Sequence, residues 1–143
     1  MDPLEPLARA VPLLVEPDPF ETPVNRTGYM GLGGIRYNFK NDERTKFGFE
    51  FNHGSQYWFN FAQSADDIIA PKTNTRGNVL EAYLTHRIND RFIVKADYIK
   101  YLYDYSGSGW HVGAPKALDS MPVLGFPTYS SANMFSLSFI TRF

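Results

Sequence analysis

From Gly28 to Phe143 the chain returns again and again to one pattern, short runs in which apolar and polar side chains alternate. A period of two marks a strand, because successive side chains leave an extended backbone on opposite faces. Five runs are legible, separated by stretches rich in Gly, Asn, Asp and Pro. The first, "GYMGLGGIRYNF" (Gly28 to Phe39), sets Ile35, Tyr37 and Phe39 against Gly34, Arg36 and Asn38, with a bulge expected at Gly33-Gly34. The second, "KFGFEFNHGSQYWF" (Lys46 to Phe59), sets Phe47, Phe49, Phe51 and Tyr57 against Gly48, Glu50, Asn52 and Gln56.

The third run, "VLEAYLTHRI", sets Leu80, Ala82, Leu84 and Ile88 against Glu81, Thr85 and Arg87, and a two-residue Asn89-Asp90 turn is expected to close it. In the fourth, "RFIVKADYIKYLYDY", Phe92, Val94, Ala96, Tyr98 and Leu102 oppose Arg91, Lys95 and Asp97, with Ile93 and Ile99 on the polar side. The fifth, "MFSLSFITRF", closes the sequence with Phe135, Leu137, Phe139 and Phe143 opposite Ser136, Ser138 and Arg142.

Run length and connections narrow the fold further. A tilted strand crosses a hydrocarbon layer in roughly 9–11 residues, which is the length of these runs. Short turns, about Lys40 to Lys46 and Asn89-Asp90, alternate with long stretches, Asn60 to Asn78 and Asp104 to Ala132. Short turns on one side and long loops on the other are the asymmetry of an outer-membrane barrel. The expected fold is therefore all-β: an antiparallel up-and-down transmembrane β-barrel segment spanning residues 28–143.

Residues 1–27 hold six of the ten prolines and show no sustained period, so they read as an irregular arm or loop. Pro6 and Pro12 argue against a strand in "PLARAVPLLV". Asp2 and Glu5 stand where a secretory signal would carry Lys or Arg, and Pro3, Pro6 and Pro12 cut its apolar stretch, so no signal peptide is expected here.

Composition excludes several classes. The 14 basic and 15 acidic residues are spread along the chain and leave no electrostatic footprint for nucleic acid. With no cysteine there is no disulfide, thiolate metal site, catalytic thiol or c-type haem attachment, and neither a cofactor nor a metal is expected. No stretch reaches the roughly 18 apolar residues of a spanning helix.

Alternation does not say which face is wet, so a soluble β-barrel binding module for a hydrophobic ligand is the second reading. Three features favour the membrane. Aromatics, 16% of the chain, gather at run ends (Tyr37, Phe39, Tyr57, Trp58, Phe59, Phe61, Tyr101, Tyr103, Tyr105, Phe143), where headgroup girdles would lie. The polar sides carry Arg36, Glu50, Asn52, Glu81, Arg87, Lys95, Asp97 and Arg142, a mixed-charge set suited to a watery lumen. Phe139, Arg142 and Phe143 form an aromatic ending like the signal read by barrel-assembly machinery. Lys100, on the expected lipid side, should sit at the outer headgroups, where a lysine costs about 0–1 kcal/mol rather than about 2–4 at the midplane. His53, on the same side, is expected to mark a bulge at Gly54.

Five strands cannot close a barrel, since single-chain bacterial barrels use an even number from eight upward. The expectation is an incomplete barrel, either the C-terminal part of a longer protein or one piece completed by other chains.

The stretches "FGFEFNHGSQYWFNFAQSADDIIAPKTNTRG", "YDYSGSGWHVGAPK" and "LSFITRF" resemble a family of porin-type outer-membrane proteins of anaerobic, metal-respiring proteobacteria, catalogued mainly as a domain of unknown function. The resemblance covers roughly Thr27 to Phe143. It implies an outer-membrane β-barrel of a Gram-negative bacterium, in contact with membrane lipid, with a porin-like role beside porin–cytochrome conduits. A multihaem cytochrome would then be a partner. It also implies longer family members that begin with a signal sequence.

Catalytic motifs are weak. His53 and Ser55 share a strand face, which invites a third reading as a membrane lipid hydrolase, but Glu50 lies on the opposite face and the orienting acid is missing. "SADD" (Ser64 to Asp67) lacks the spaced oxygen ligands of a cation site. "YDYSGSGWHVGAP" (Tyr103 to Pro115) reads as a constriction loop or an external loop anchored by Trp110. A non-enzymatic pore or conduit wall is the leading expectation.

Overall fold

A computed structural model describes residues 11–13, 26–61, 69, 71–108, 115–120 and 129–143. The "SADD" segment and Trp110 lie outside the described residues. The strands in chain order are β1 (Val11–Leu13), β2 (Arg26–Gly28), β3 (Met30–Asn38), β4 (Thr45–Gly54), β5 (Gly77–Arg87), β6 (Phe92–Tyr103) and β7 (Ser131–Thr141). Short 3₁₀ turns cover Lys72–Asn74 and Leu118–Ser120.

The alternating runs become one antiparallel sheet in the order β3-β4-β5-β6-β7, each strand beside its neighbour in sequence. Among the described residues the sheet is open, with β3 and β7 at its edges. The expected all-β segment of five strands is present. The short turns join β3 to β4 and β5 to β6 at one end, and the long connections lie at the other.

The ladders run without slippage: Met30↔Gly54 to Asn38↔Lys46, Thr45↔His86 to Gly54↔Gly77, Gly77↔Tyr103 to Arg87↔Ile93, and Phe92↔Thr141 to Leu102↔Ser131. Neither expected bulge forms. At Gly34 the missing side chain makes room instead, since a Cβ there would lie 2.9 Å from Cγ of Glu50 on the next strand. His53 and Gly54 stay in register with Asn78 and Gly77.

Other boundaries also differ from expectation. β4 stops at Gly54, because Ser55 N–H donates to the Tyr29 carbonyl (3.0 Å) and Trp58 N–H returns to the Ser55 carbonyl (3.0 Å), closing a turn. Tyr57 therefore does not continue the Phe47, Phe49, Phe51 row, and Trp58 and Phe59 are buried rather than set in a girdle. The β5–β6 turn occupies residues 88–91 rather than two, because the Asn89 side-chain oxygen accepts from the N–H groups of both Arg91 and Phe92 at 2.9 Å. The arm is not wholly irregular: Val11, Pro12 and Leu13 pair with Gly28, Thr27 and Arg26. A two-stranded pair has only edge strands, where proline is tolerated.

The two faces differ sharply. One carries Ile35, Tyr37, Phe47, Phe49, Phe51, Leu84, Phe92, Phe135, Leu137 and Phe139, every one exposed, with Phe135 at 80% and Phe139 at 72%. The other carries all the charged residues of the sheet but Lys100, yet it holds the sheet's most buried side chains, including Val79, Glu81, Asp97, Ile99 and Tyr101. Val79, Ile99 and Tyr101 form the buried cluster, with Tyr103, Ala132 and Met134 packed against it.

Candidate functional site

Register stacks the charged face into rows. Nearest the short turns, Arg44 accepts the Arg87 N–H on its carbonyl at 2.9 Å, and Arg87 pairs with Ile93 and Ile93 with Ile140. The next row is Lys46, Thr85, Lys95 and Ser138, followed by Arg36, Gly48, Tyr83, Asp97 and Ser136. Above these come Gly34, Glu50, Glu81, Ile99 and Met134, then Leu32, Asn52, Val79, Tyr101 and Ala132. Cations thus hold one end, carboxylates the middle, and apolar and aromatic groups the loop end.

The middle is an ion-pair chain. Glu50 and Glu81 stand directly opposite on β4 and β5, an arrangement that repels when both are charged. Lys72, from the 3₁₀ turn after β4, donates to Oε2 of both. Lys95 lies 3.5 Å from Glu81 Oε1 and 2.6 Å from Asp97 Oδ1, and the Ser136 hydroxyl donates to Asp97 Oδ2 at 2.9 Å. Burial works against the Lys72 ammonium, but its hydrogen bonds to Glu50 and Glu81 outweigh that and raise its pKa above the ordinary lysine value.

Gly48 makes a further contact possible. A Cβ at this position would lie 2.1 Å from Cζ of Tyr83, so the glycine lets that ring lie across the sheet, with Lys95 Nζ 4.9 Å from its centroid.

The segment beyond β4 folds over the loop end of this face. Asn52 Nδ2 donates to the Lys72 carbonyl at 2.6 Å, and Trp58 Nε1 to the Thr73 carbonyl at 2.7 Å. Arg76 is 2% exposed and ties three segments together, donating from Nε to the Trp58 carbonyl (2.9 Å) and from Nη1 to the carbonyls of Ser106 (3.0 Å) and Gly107 (2.8 Å). Gly77 follows with φ +143°, a conformation that favours glycine where the chain enters β5.

Arg36, Glu50, Asn52, Glu81, Arg87, Lys95 and Asp97 all fall on this one face, and Arg142, one residue beyond β7, meets Arg36 and Arg87 in a cavity at its turn end. The sequence reading set Ser136 on the polar side but missed Lys72, Tyr83, Lys46 and Arg44. Parity along β4 and β5 could have found Lys46 and Tyr83. Phe139 lies on the apolar face and Phe143 is fully exposed. Lys100 pairs with Asn133, close to the loop end of β6.

The His53 and Ser55 pairing does not form a dyad. His53 Nδ1 lies 2.9 Å from Asn78 Oδ1, and the Ser55 hydroxyl accepts from Tyr29 N–H at 2.9 Å beyond the strand end. Among the described residues no group of His, Cys, Asp and Glu is placed to hold a metal. No helix of the described residues is long and apolar enough to cross a membrane.

Fold and site together define an all-β meander with one apolar exposed face and one ion-paired face. The chain belongs to the family described as protein of unknown function (DUF3373), whose model matches residues 8–143. No curated protein and no solved structure matches it.

Proposed function

We propose that this chain forms part of the wall of a porin-like β-barrel in the outer membrane of a Gram-negative bacterium, with the ionic face toward a watery lumen and the aromatic face toward lipid. It is a passive pore or conduit wall without catalytic chemistry. One observation carries the reading: the inversion of burial, in which a continuous row of Phe, Leu, Ile and Tyr is exposed while Asn52, Glu81 and Asp97 are buried on the opposite face and Lys72 and Lys95 are half-buried beside them. Soluble monomers rarely expose contiguous apolar patches beyond about 300–600 Å². A lipid-facing strand needs exactly that surface, and a lumen needs the alternate residues to be polar.

A soluble barrel that holds a hydrophobic ligand would enclose its apolar side. Here Lys72 and its neighbours fold over the polar side, which weighs against that alternative. The open edges of β3 and β7 call for further strands, from the remainder of a longer protein or from other chains, because an unpaired backbone group in hydrocarbon costs several kcal/mol. In this reading Phe139, Arg142 and Phe143 address the barrel-assembly machinery, and a multihaem cytochrome is a candidate occupant of the conduit.

Because the chain has no cysteine, single cysteines report cleanly. The test places them at Ser136, Leu137, Ser138 and Phe139 in turn, in lipid bilayers. Labels at 137 and 139 should be quenched by brominated acyl chains, and those at 136 and 138 should react with water-soluble maleimide. Equal reactivity at all four positions would rule out a lipid-facing sheet.

A further inference from the structure

At the short-turn end of the charged face lies a cavity of about 390 Å³ lined by Arg36, Glu43, Arg44, Lys46, Thr85, Arg87, Ile93 and Arg142. Five of these side chains are cations and one is a carboxylate. None of the five makes an ion pair among the described residues, whereas Lys72 and Lys95 on the same face are both fully engaged with carboxylates. The backbone fixes where each of these side chains begins. Arg36, Lys46 and Arg87 sit in unbroken ladders, the Arg44 carbonyl holds the Arg87 N–H, and Arg142 N–H donates to the Arg91 carbonyl at 2.9 Å.

We propose that this cavity binds a small, multiply charged oxyanion of the phosphate class taken from solution. Gathering five like charges around one space is unfavourable until an anion enters, and the spacing is imposed by strand register rather than by attraction between the side chains. Four of the five are arginines, whose planar forks match phosphate oxygens two at a time, and the Thr85 hydroxyl adds a neutral donor. The volume suits a small ligand. Its position beside the ion-paired rows makes it the one stretch of the described face with unspent positive charge. The site stands on this geometry whether or not the sheet lies in a membrane, so failure of the cysteine experiment leaves it intact, and its own failure leaves the wall reading intact.

The test is calorimetric titration of the full chain, folded in detergent micelles, with sodium pyrophosphate at low salt. Binding is expected, with affinity falling as salt rises and a rise in the unfolding temperature of the unaltered protein. Arg87→Gln and Arg36→Gln should each weaken binding at least tenfold, while Arg91→Gln, which removes the same charge from a neighbouring position outside the cavity, should change it less than twofold. No binding and no thermal shift with the unaltered protein, or equal weakening by Arg91→Gln, would overturn the proposal. So would capture of phosphatidylglycerol vesicles without any competition by pyrophosphate, because the phosphate would then belong to a lipid headgroup.

Discussion

Lys72 is the residue on which the middle of the charged face depends. It separates Glu50 and Glu81, which register forces opposite one another, and Glu81 has little access to water. Lys72→Met should cost about 1–3 kcal/mol, less than the full penalty of breaking a buried pair because Lys72 and Glu50 keep partial contact with solvent. Urea unfolding would measure it, and Glu50→Gln in the same background should recover part of the loss. Since the folded-state pKa of Lys72 is raised, its contribution is complete below the ordinary lysine value and disappears as pH climbs through the higher folded value. Gly48 is the second such position. Gly48→Ala should destabilise by about 1–3 kcal/mol through overpacking against Tyr83, and Tyr83→Ala should relieve much of it, which a double-mutant cycle would reveal. Sequence alternation placed Glu50 and Glu81 on one face. It could not reach Lys72, which lies in no periodic run and arrives through a turn held by side-chain bonds to its backbone, such as the one Asn52 Nδ2 donates to the Lys72 carbonyl.

At the scale of elements, the strands were the legible part, because each buries or exposes whole rows and so writes a period of two into the chain. Their ends were less legible. "NHGSQYWF" keeps apolar residues coming after Gly54, yet the Ser55 turn redirects the chain, and Trp58 finds its partner at Thr73 across the long connection. The β3–β4 turn has its own lock. Asp42 accepts from the Thr45 hydroxyl and from Arg44 N–H at 3.0 Å, and these bonds, the Thr45 one foremost, hold its carboxyl below the usual aspartate range. Its contribution is therefore present above that range and lost as pH falls through the lowered folded value. The stability difference between the unaltered protein and Asp42→Asn should stay constant above about pH 5 and shrink below about pH 4. A difference that did not change with acid would mean that the turn does not rely on this charge.

For the whole molecule, the sequence already implied an open sheet, since five alternating runs are too few to close. It did not imply that the residues around Trp58, Lys72 and Arg76 would pack over the polar face, because side-chain bonds to distant carbonyls leave no period. Among the described residues no strand pairs with the outer backbone groups of β3 and β7. The chain alone in lipid or micelles should therefore assemble through these edges, and native mass spectrometry should find oligomers rather than a folded monomer. A stable, folded monomer in lipid would contradict the proposal that the aromatic face lies in hydrocarbon. The row order of the charged face has an electrical consequence. Arginines gather at the turn end, neutralised pairs fill the middle, and aromatics occupy the loop end, so a pore lined this way would be a rectifier, passing anions more readily in one direction than the other at equal and opposite voltages.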